Sequence, residues 1–350
     1  MKISRRALMK YSATATAALA ATRIFRPSGA IAQTGEVNLY SSRHYNTDDT
    51  LYNTFTDRTG IRVNLLEGKA DELLERIKNE GANGPADVFM TVDAGMLWRA
   101  DQAGVFAPIS STVLTEKIPE YLRHPDGKWF GFSKRARVIM YNKAMVESSE
   151  LSTYEDLADP RWRGKILIRS SDNIYNQSLV ASLIEANGLK STETWAAAFV
   201  KNFARSPEGN DSAQIEAAAA GLGELAIANT YYLPRYLEDE NPKKRAVFEQ
   251  LGVFFPNQSD RGAHVNISGA GVVATAPHAE AAQKFLEYLA GTEAQEFFAK
   301  GNNEYPVVEG VALAPAVAGF GTFKDDSINV STYGENQVAA VALMDRVGWA

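Results

Sequence analysis

The sequence predicts an α/β protein built as two lobes with a hinge and a central cleft. Three observations carry this. Strand-like and helix-like segments alternate along the chain, which implies a parallel sheet covered by helices. The alternation comes in two stretches. Strand-like segments join those stretches where a flexible tether would otherwise stand, and no repeat or low-complexity tract interrupts them.

The first stretch opens with a strand at 37–40. A helix follows at 48–58, closed by Gly60, and then a strand at 61–66. Residues 70–80 place Leu73, Leu74 and Ile77 on one helical face. A strand at 86–92 and a helix at 97–103 complete a βαβαβ unit. Two separate strands are expected at 129–132 and 137–141, passing into the second lobe. There the pattern gives a strand at 165–168, helices at 176–186, 194–203 and 212–220, and an apolar strand over 224–229. Strands at 264–267 and 271–275 return the chain, helices at 280–289 and 293–300 follow, and further helical segments close it. The expected boundaries are 33–133 with 262–308 for the first lobe and 134–261 with 309–350 for the second. Ligands in such folds sit in the crevice at the carboxyl ends of strands.

Residues 1–32 read as an export signal. Ser4-Arg5-Arg6-Ala7-Leu8-Met9-Lys10 is a twin-arginine pattern, and Ala30-Ile31-Ala32 is an A-x-A cleavage site before Gln33. The stretch between them is too short and too weakly apolar to anchor in a bilayer. A periplasmic protein exported by the twin-arginine route is the expectation. The charges of this segment are all basic: Lys2, Arg5, Arg6, Lys10, Arg23 and Arg26. Removing the 32 residues and these six charges from 350 residues of net charge −6 leaves 318 residues of net charge −12. That acidity argues against nucleic acid or anionic membrane as a partner. The chain has no cysteine, which excludes thiolate metal sites, thiol nucleophiles and iron–sulfur clusters.

The most informative residues are the adjacent pair Tyr231-Tyr232. They follow the apolar run at 224–229 and precede Leu233-Pro234-Arg235. Along a strand neighbouring side chains point to opposite faces, but at a strand-to-helix turn they can converge. Two deprotonated phenols there form a hard, anionic, all-oxygen site suited to a highly charged cation, with Fe3+ the best candidate.

Four strings converge on a family: Tyr40-Ser41-Ser42-Arg43-His44-Tyr45, Pro85-Ala86-Asp87-Val88-Phe89, Pro160-Arg161-Trp162-Arg163-Gly164-Lys165, and Tyr231-Tyr232. Over essentially the whole mature chain they resemble the periplasmic ferric-iron-binding proteins of ABC uptake systems, most of all the cyanobacterial FutA/IdiA type. The resemblance implies a type II periplasmic-binding-protein fold, one ferric ion in the cleft, and a permease of the inner membrane as partner. It implies metal ligands at Tyr231 and Tyr232, at Tyr45 and Tyr175, and at His44. A transferrin-like branch of that family uses a glutamate at the position of Val92. Its absence here removes one ligand and weakens the expectation of an external phosphate or carbonate; Tyr45 and Tyr175 would fill those positions.

Free tyrosine has a pKa near ~10, and a bound trivalent cation holds phenolates deprotonated. Four phenolates exceed the charge of Fe3+ by one, so a nearby cation is expected. Arg235, at i+4 from Tyr231, and Arg43, beside His44, are the candidates for outer residues that tune the ligands. Such a set prefers Fe3+ to Fe2+, zinc or copper, and an arginine swinging inward would admit Fe2+. No organic cofactor is expected. His124, His264 and His278 show no metal spacing, and Tyr141, Tyr154 and Tyr236 read as core.

Two other readings stand beside this one. A receptor of the same fold for a polyamine or an anion fits the lobes, yet a polyamine site needs paired acids over aromatic walls. A twin-arginine-exported cofactor enzyme fits the signal, yet the chain has no Gly-x-Ser-x-Gly elbow, His-Glu-x-x-His helix or Gly-rich phosphate loop. No catalytic residue is assigned, and a monomer is expected. An iron-protective role is a further possibility that only localisation would decide.

Overall fold

Residues 35–43, 45 and 47–349 are described in a computed structural model; the export-signal reading of 1–32 and the reading of His44 lie outside the described residues. The chain opens with β1 (Gly35–Ser41), α1 (Asp48–Thr59), β2 (Ile61–Glu67), α2 (Ala70–Glu80), β3 (Val88–Thr91) and α3 (Ala94–Gln102). β1 pairs in parallel with β2 and with β3, as the βαβαβ pattern implies. Gly60 ends α1 at φ 73°, which lets its N–H reach the Thr56 carbonyl at 2.8 Å. α3 begins earlier than expected because the Asp93 carboxylate caps it, accepting the Gly95 N–H at 2.7 Å.

α4 (Thr112–Lys117) leads to β4 (Phe130–Asn142), a strand of 13 residues where two short ones were expected. The polar centre, Ser133-Lys134-Arg135-Ala136-Arg137, reads as a break. It continues the strand because Arg135 and Arg137 are buried and paired inside the protein. β5 (Ile166–Leu167), α5 (Ile174–Asn187), α6 (Leu189–Phe199), α7 (Asp211–Ala219), β6 (Leu225–Asn229), α8 (Pro242–Gln250) and β7 (Leu251–Phe254) follow. Then come β8 (Val265–Val272), α9 (Ala279–Leu289), α10 (Thr292–Asn302), β9 (Tyr305–Pro306), α11 (Pro315–Ala318), α12 (Ser331–Glu335) and α13 (Gln337–Arg346).

β4 joins two sheets. Through Ala136 it runs antiparallel to β8, which also pairs with β3; from Arg137 onward it runs antiparallel to β6. The order across the path is β2-β1-β3-β8-β4-β6-β5, with β7 and β9 on β4. β8 is also one strand where two were expected. Gly269 and Gly271 look like interruptions, but they admit close neighbours. A Cβ at 269 would lie 2.6 Å from Leu97 Cδ1, and one at 271 would lie 2.4 Å from the Lys128 carbonyl oxygen. Large apolar side chains fill both halves. Phe55, Phe89, Trp129, Phe130 and Phe132 are buried in the first, and Trp162, Phe199 and Trp349 in the second. Each such burial contributes roughly 1.5–3 kcal/mol.

His264, just before β8, is 2 % exposed and lies with its ring centroid 4.8 Å from that of Tyr333. Burial, reinforced by Arg137 and Arg261, pulls its pKa down to about 3. The unfolded chain therefore binds this proton more readily than the folded one, so stability falls as pH drops below ~6.5 and the loss is complete near 3. The loss is on the order of 4 kcal/mol. Denaturation of His264→Phe between pH 7 and 4 is expected to show a shallower decline than wild type; parallel declines would contradict the assignment.

Candidate metal centre

Each tyrosine of interest lies at or just beyond the end of a regular element. Tyr45 lies in the loop between β1 and α1, where its carbonyl accepts the Asp48 N–H at 2.9 Å. Tyr175 is in the first turn of α5, whose positive dipole end favours an anionic side chain. Tyr231 and Tyr232 lie in a 3-10 turn, Thr230–Tyr236, directly after β6. Pro234 inside that turn cannot supply the N–H needed to continue a helix. The two rings stack with centroids 4.4 Å apart and planes 30° from parallel.

These segments face one another. The Arg235 guanidinium lies 4.9 Å from the Tyr231 ring, 5.2 Å from the Tyr232 ring and 5.9 Å from the Tyr45 ring. Arg235 thus touches phenols from both sheets while its own side chain faces solvent. Arg43 lies 4.6 Å from the Tyr45 ring and Arg135 5.8 Å from the Tyr231 ring. Tyr231 is 3 % exposed, and Tyr45, Tyr175 and Tyr232 are half-buried.

Burial raises the pKa of Tyr45, Tyr175 and Tyr231 above the ordinary value. Glu304 raises Tyr45 further, against the opposing pull of Arg135, Arg43 and Arg235. For Tyr175 the next effect is the lowering pull of Arg135, followed by the raising effects of Tyr45 and Tyr232. Tyr231 is raised by burial and then by Tyr175, Tyr45 and Tyr232. Tyr175, Tyr45 and Tyr232 thus oppose ionisation of Tyr231, and a trivalent cation would relieve that repulsion.

Beneath the rings lies an ionic network that the sequence did not reveal. Arg43 pairs with Asp48 at 2.9 Å and with Glu304 at 3.3 Å, and Arg135 pairs with Glu304. Ser133 donates to Glu304 at 2.9 Å, while Arg135 donates to Ser268 Oγ at 2.7 Å and to the Val92 carbonyl at 3.2 Å. Two arginines and two carboxylates make this network neutral. Among the described residues Arg235 forms no ion pair with a carboxylate, so its charge is not neutralised by this network. The signal for Arg135 and Arg137 was present: two cations at i and i+2, on one face of a strand with apolar runs at both ends. Glu304 carried no such signal.

Among the described residues, acidic and histidine side chains near the rings are engaged elsewhere or lie apart. The residue after Val92 is Asp93, whose carboxylate accepts from the Gly95 N–H, from Ser178 at 2.9 Å and from Asn266 at 2.6 Å. His124 sits 3.3 Å from Asp101 and His278 sits 3.1 Å from Asp87. Among the described residues no group of three histidine, cysteine or acidic side chains is placed to hold a metal. Tyr154 and Tyr236 are buried as expected, and Tyr141 is half-buried.

Residues 50–326 match the family described as bacterial extracellular solute-binding protein. The Iron uptake protein A1 of Synechocystis sp. is 60% identical over 314 residues, covering 90% of this chain and 87% of its own. The Iron uptake protein A2 of the same organism is 54% identical over 350 residues, covering 99% of each. A solved structure of Trichodesmium IdiA (FutA) in complex with iron and citrate superposes with a TM-score of 0.89 at 63% identity, over 90% of this chain and all of that one.

Proposed function

The chain belongs to the bacterial extracellular solute-binding proteins, within them to the iron-uptake proteins of the FutA/IdiA type, and from that premise we propose that it captures Fe3+ through tyrosinates and delivers it to an ABC-transporter permease. The observation that carries this is the convergence of Tyr45, Tyr231 and Tyr232 on Arg235, with Tyr175 completing the set. Four phenolates around Fe3+ leave one negative charge, and Arg235 offsets it.

Tyr45 belongs to the lobe of 33–133 with 262–308, and the other three to the lobe of 134–261 with 309–350. The change of partners within β4 between Ala136 and Arg137 supports a boundary near that point. Iron held from both sides has a higher affinity for the closed arrangement and shifts the lobes toward it. His44, next to Tyr45, is available as a further ligand. The protein is exported by the twin-arginine route to the periplasm, acts as a monomer, catalyses no reaction and carries no organic cofactor. Release requires reduction of the iron, protonation of phenolates, or opening of the lobes by the transporter.

Dialysis of the mature protein against Fe3+ with Zn2+ and a polyamine as competitors tests the cargo. The expected result is one iron retained per chain and neither competitor. Retention of zinc or polyamine in place of iron would overturn the reading and favour the same-fold receptor for another solute.

A further inference from the structure

Arg137 sits where β4 exchanges β8 for β6, on the same strand face as Arg135. Its guanidinium donates to Asn176 Oδ1 at 2.7 Å, to Asn229 Oδ1 at 3.1 Å, to Asp211 Oδ2 at 3.2 Å and to the Ile227 carbonyl at 3.3 Å. Asn176 is the residue after Tyr175. Its amide nitrogen donates to the carbonyls of Arg169 and Ser170 at 2.8 and 3.0 Å, so its side chain ties the first turn of α5 to the loop before it. Asn229 is the last residue of β6, directly before the turn that carries Tyr231 and Tyr232. Its backbone N–H is held by Asp211 Oδ2 at 3.1 Å. Arg137, Asn176, Asp211 and Asn229 are each at most 2 % exposed.

We propose that Arg137 is a positioning residue that fixes Tyr175 relative to the Tyr231–Tyr232 pair, by holding Asn176 and Asn229 in one guanidinium fork. The inference rests on the ferric reading above. A planar guanidinium presents five donors in fixed directions and can hold two amide oxygens and a carboxylate at once; an ammonium group is a single mobile point charge. Tyr45 rests instead on Arg43, Asp48 and Glu304, with none of which Arg137 is bonded. Arg137 thereby sets the spacing of three of the four phenolates, and with it the fit to a small ferric ion.

The test compares Asn176→Ala and Arg137→Lys with wild type, and with Asn202→Ala as a control. Asn202 is a buried amide that bonds the carbonyls of Leu157 and Asp159. Asn176→Ala removes the link to Tyr175 while keeping the Arg137–Asp211 pair, and it decides the matter if Arg137→Lys does not fold. Far-ultraviolet circular dichroism and thermal melting check the iron-free fold. The expected result is a shifted ferric charge-transfer maximum and a ~10–100-fold loss of Fe3+ affinity in folded Asn176→Ala, with Asn202→Ala unchanged in both. A wild-type band and affinity in Asn176→Ala, or an equal shift in Asn202→Ala, would overturn the positioning role. Absence of the band in wild type would instead overturn the ferric reading beneath it.

Discussion

Replacing Tyr231 and Tyr232 together by phenylalanine is expected to abolish ferric binding at physiological concentrations while leaving the fold in place. The variant keeps both rings, hence the 4.4 Å stack and the packing beneath it, and removes only two hydroxyls. Two of four anionic donors vanish. The remaining pair no longer balances a trivalent ion, and Arg235, still 4.9 Å from the Tyr231 ring, changes from a compensating charge to a repulsive one. Loss of an outer partner of a ligand already costs ~10–100-fold in metal affinity, so loss of two donors should cost far more. Competition against a ferric chelator measures it, with melting of the iron-free protein as the check on folding. Affinity within tenfold of wild type would remove the pair from the site.

Iron capture is expected to release close to one proton per ligating phenol, about four in all, and to tighten steeply with rising pH. The sign follows from the pKa directions. Tyr45, Tyr175 and Tyr231 are all raised, burial being the largest cause, so they are protonated in the iron-free protein throughout the neutral range. Fe3+ binds the phenolate form, and each proton displaced makes the apparent affinity up to ~10-fold stronger per pH unit. Acidification therefore weakens binding, which gives phenolate protonation a direct part in release. Proton release is read by pH titration in weak buffer as iron is added. Tyr175→Phe is expected to release one proton fewer than wild type; equal release would remove Tyr175 from the ligand set, and release near zero in wild type would remove phenolates altogether.

Most of the regular architecture could be read from the sequence, because periodicity and glycine punctuation are local signals. α1, α2 and β6 appear where expected. The failures share a cause. β4 and β8 each read as two strands because charged residues in one, and glycines in the other, contradict the appearance of a strand. Tertiary structure reverses both signals: Glu304 and Asp211 neutralise the buried arginines of β4, and the backbone of Lys128 and the side chain of Leu97 occupy the space beside the β8 glycines. Such partners lie far off in sequence and leave no local trace. The same distinction divides the candidate site. The tyrosines were visible as a doublet and as motif matches, and Arg235 by its helical spacing. Asn176, Asn229 and Glu304 act through contacts 39, 92 and 261 residues distant, which only the fold assembles, and nothing in the chain singled them out.

The visible spectrum of the purified mature chain with one equivalent of Fe3+ tests whether phenolates of this protein hold ferric iron. A broad phenolate-to-iron charge-transfer band, bleached by dithionite and weakened or shifted in Tyr232→Phe, is the predicted result. A colourless wild-type protein under stoichiometric Fe3+ would contradict the account.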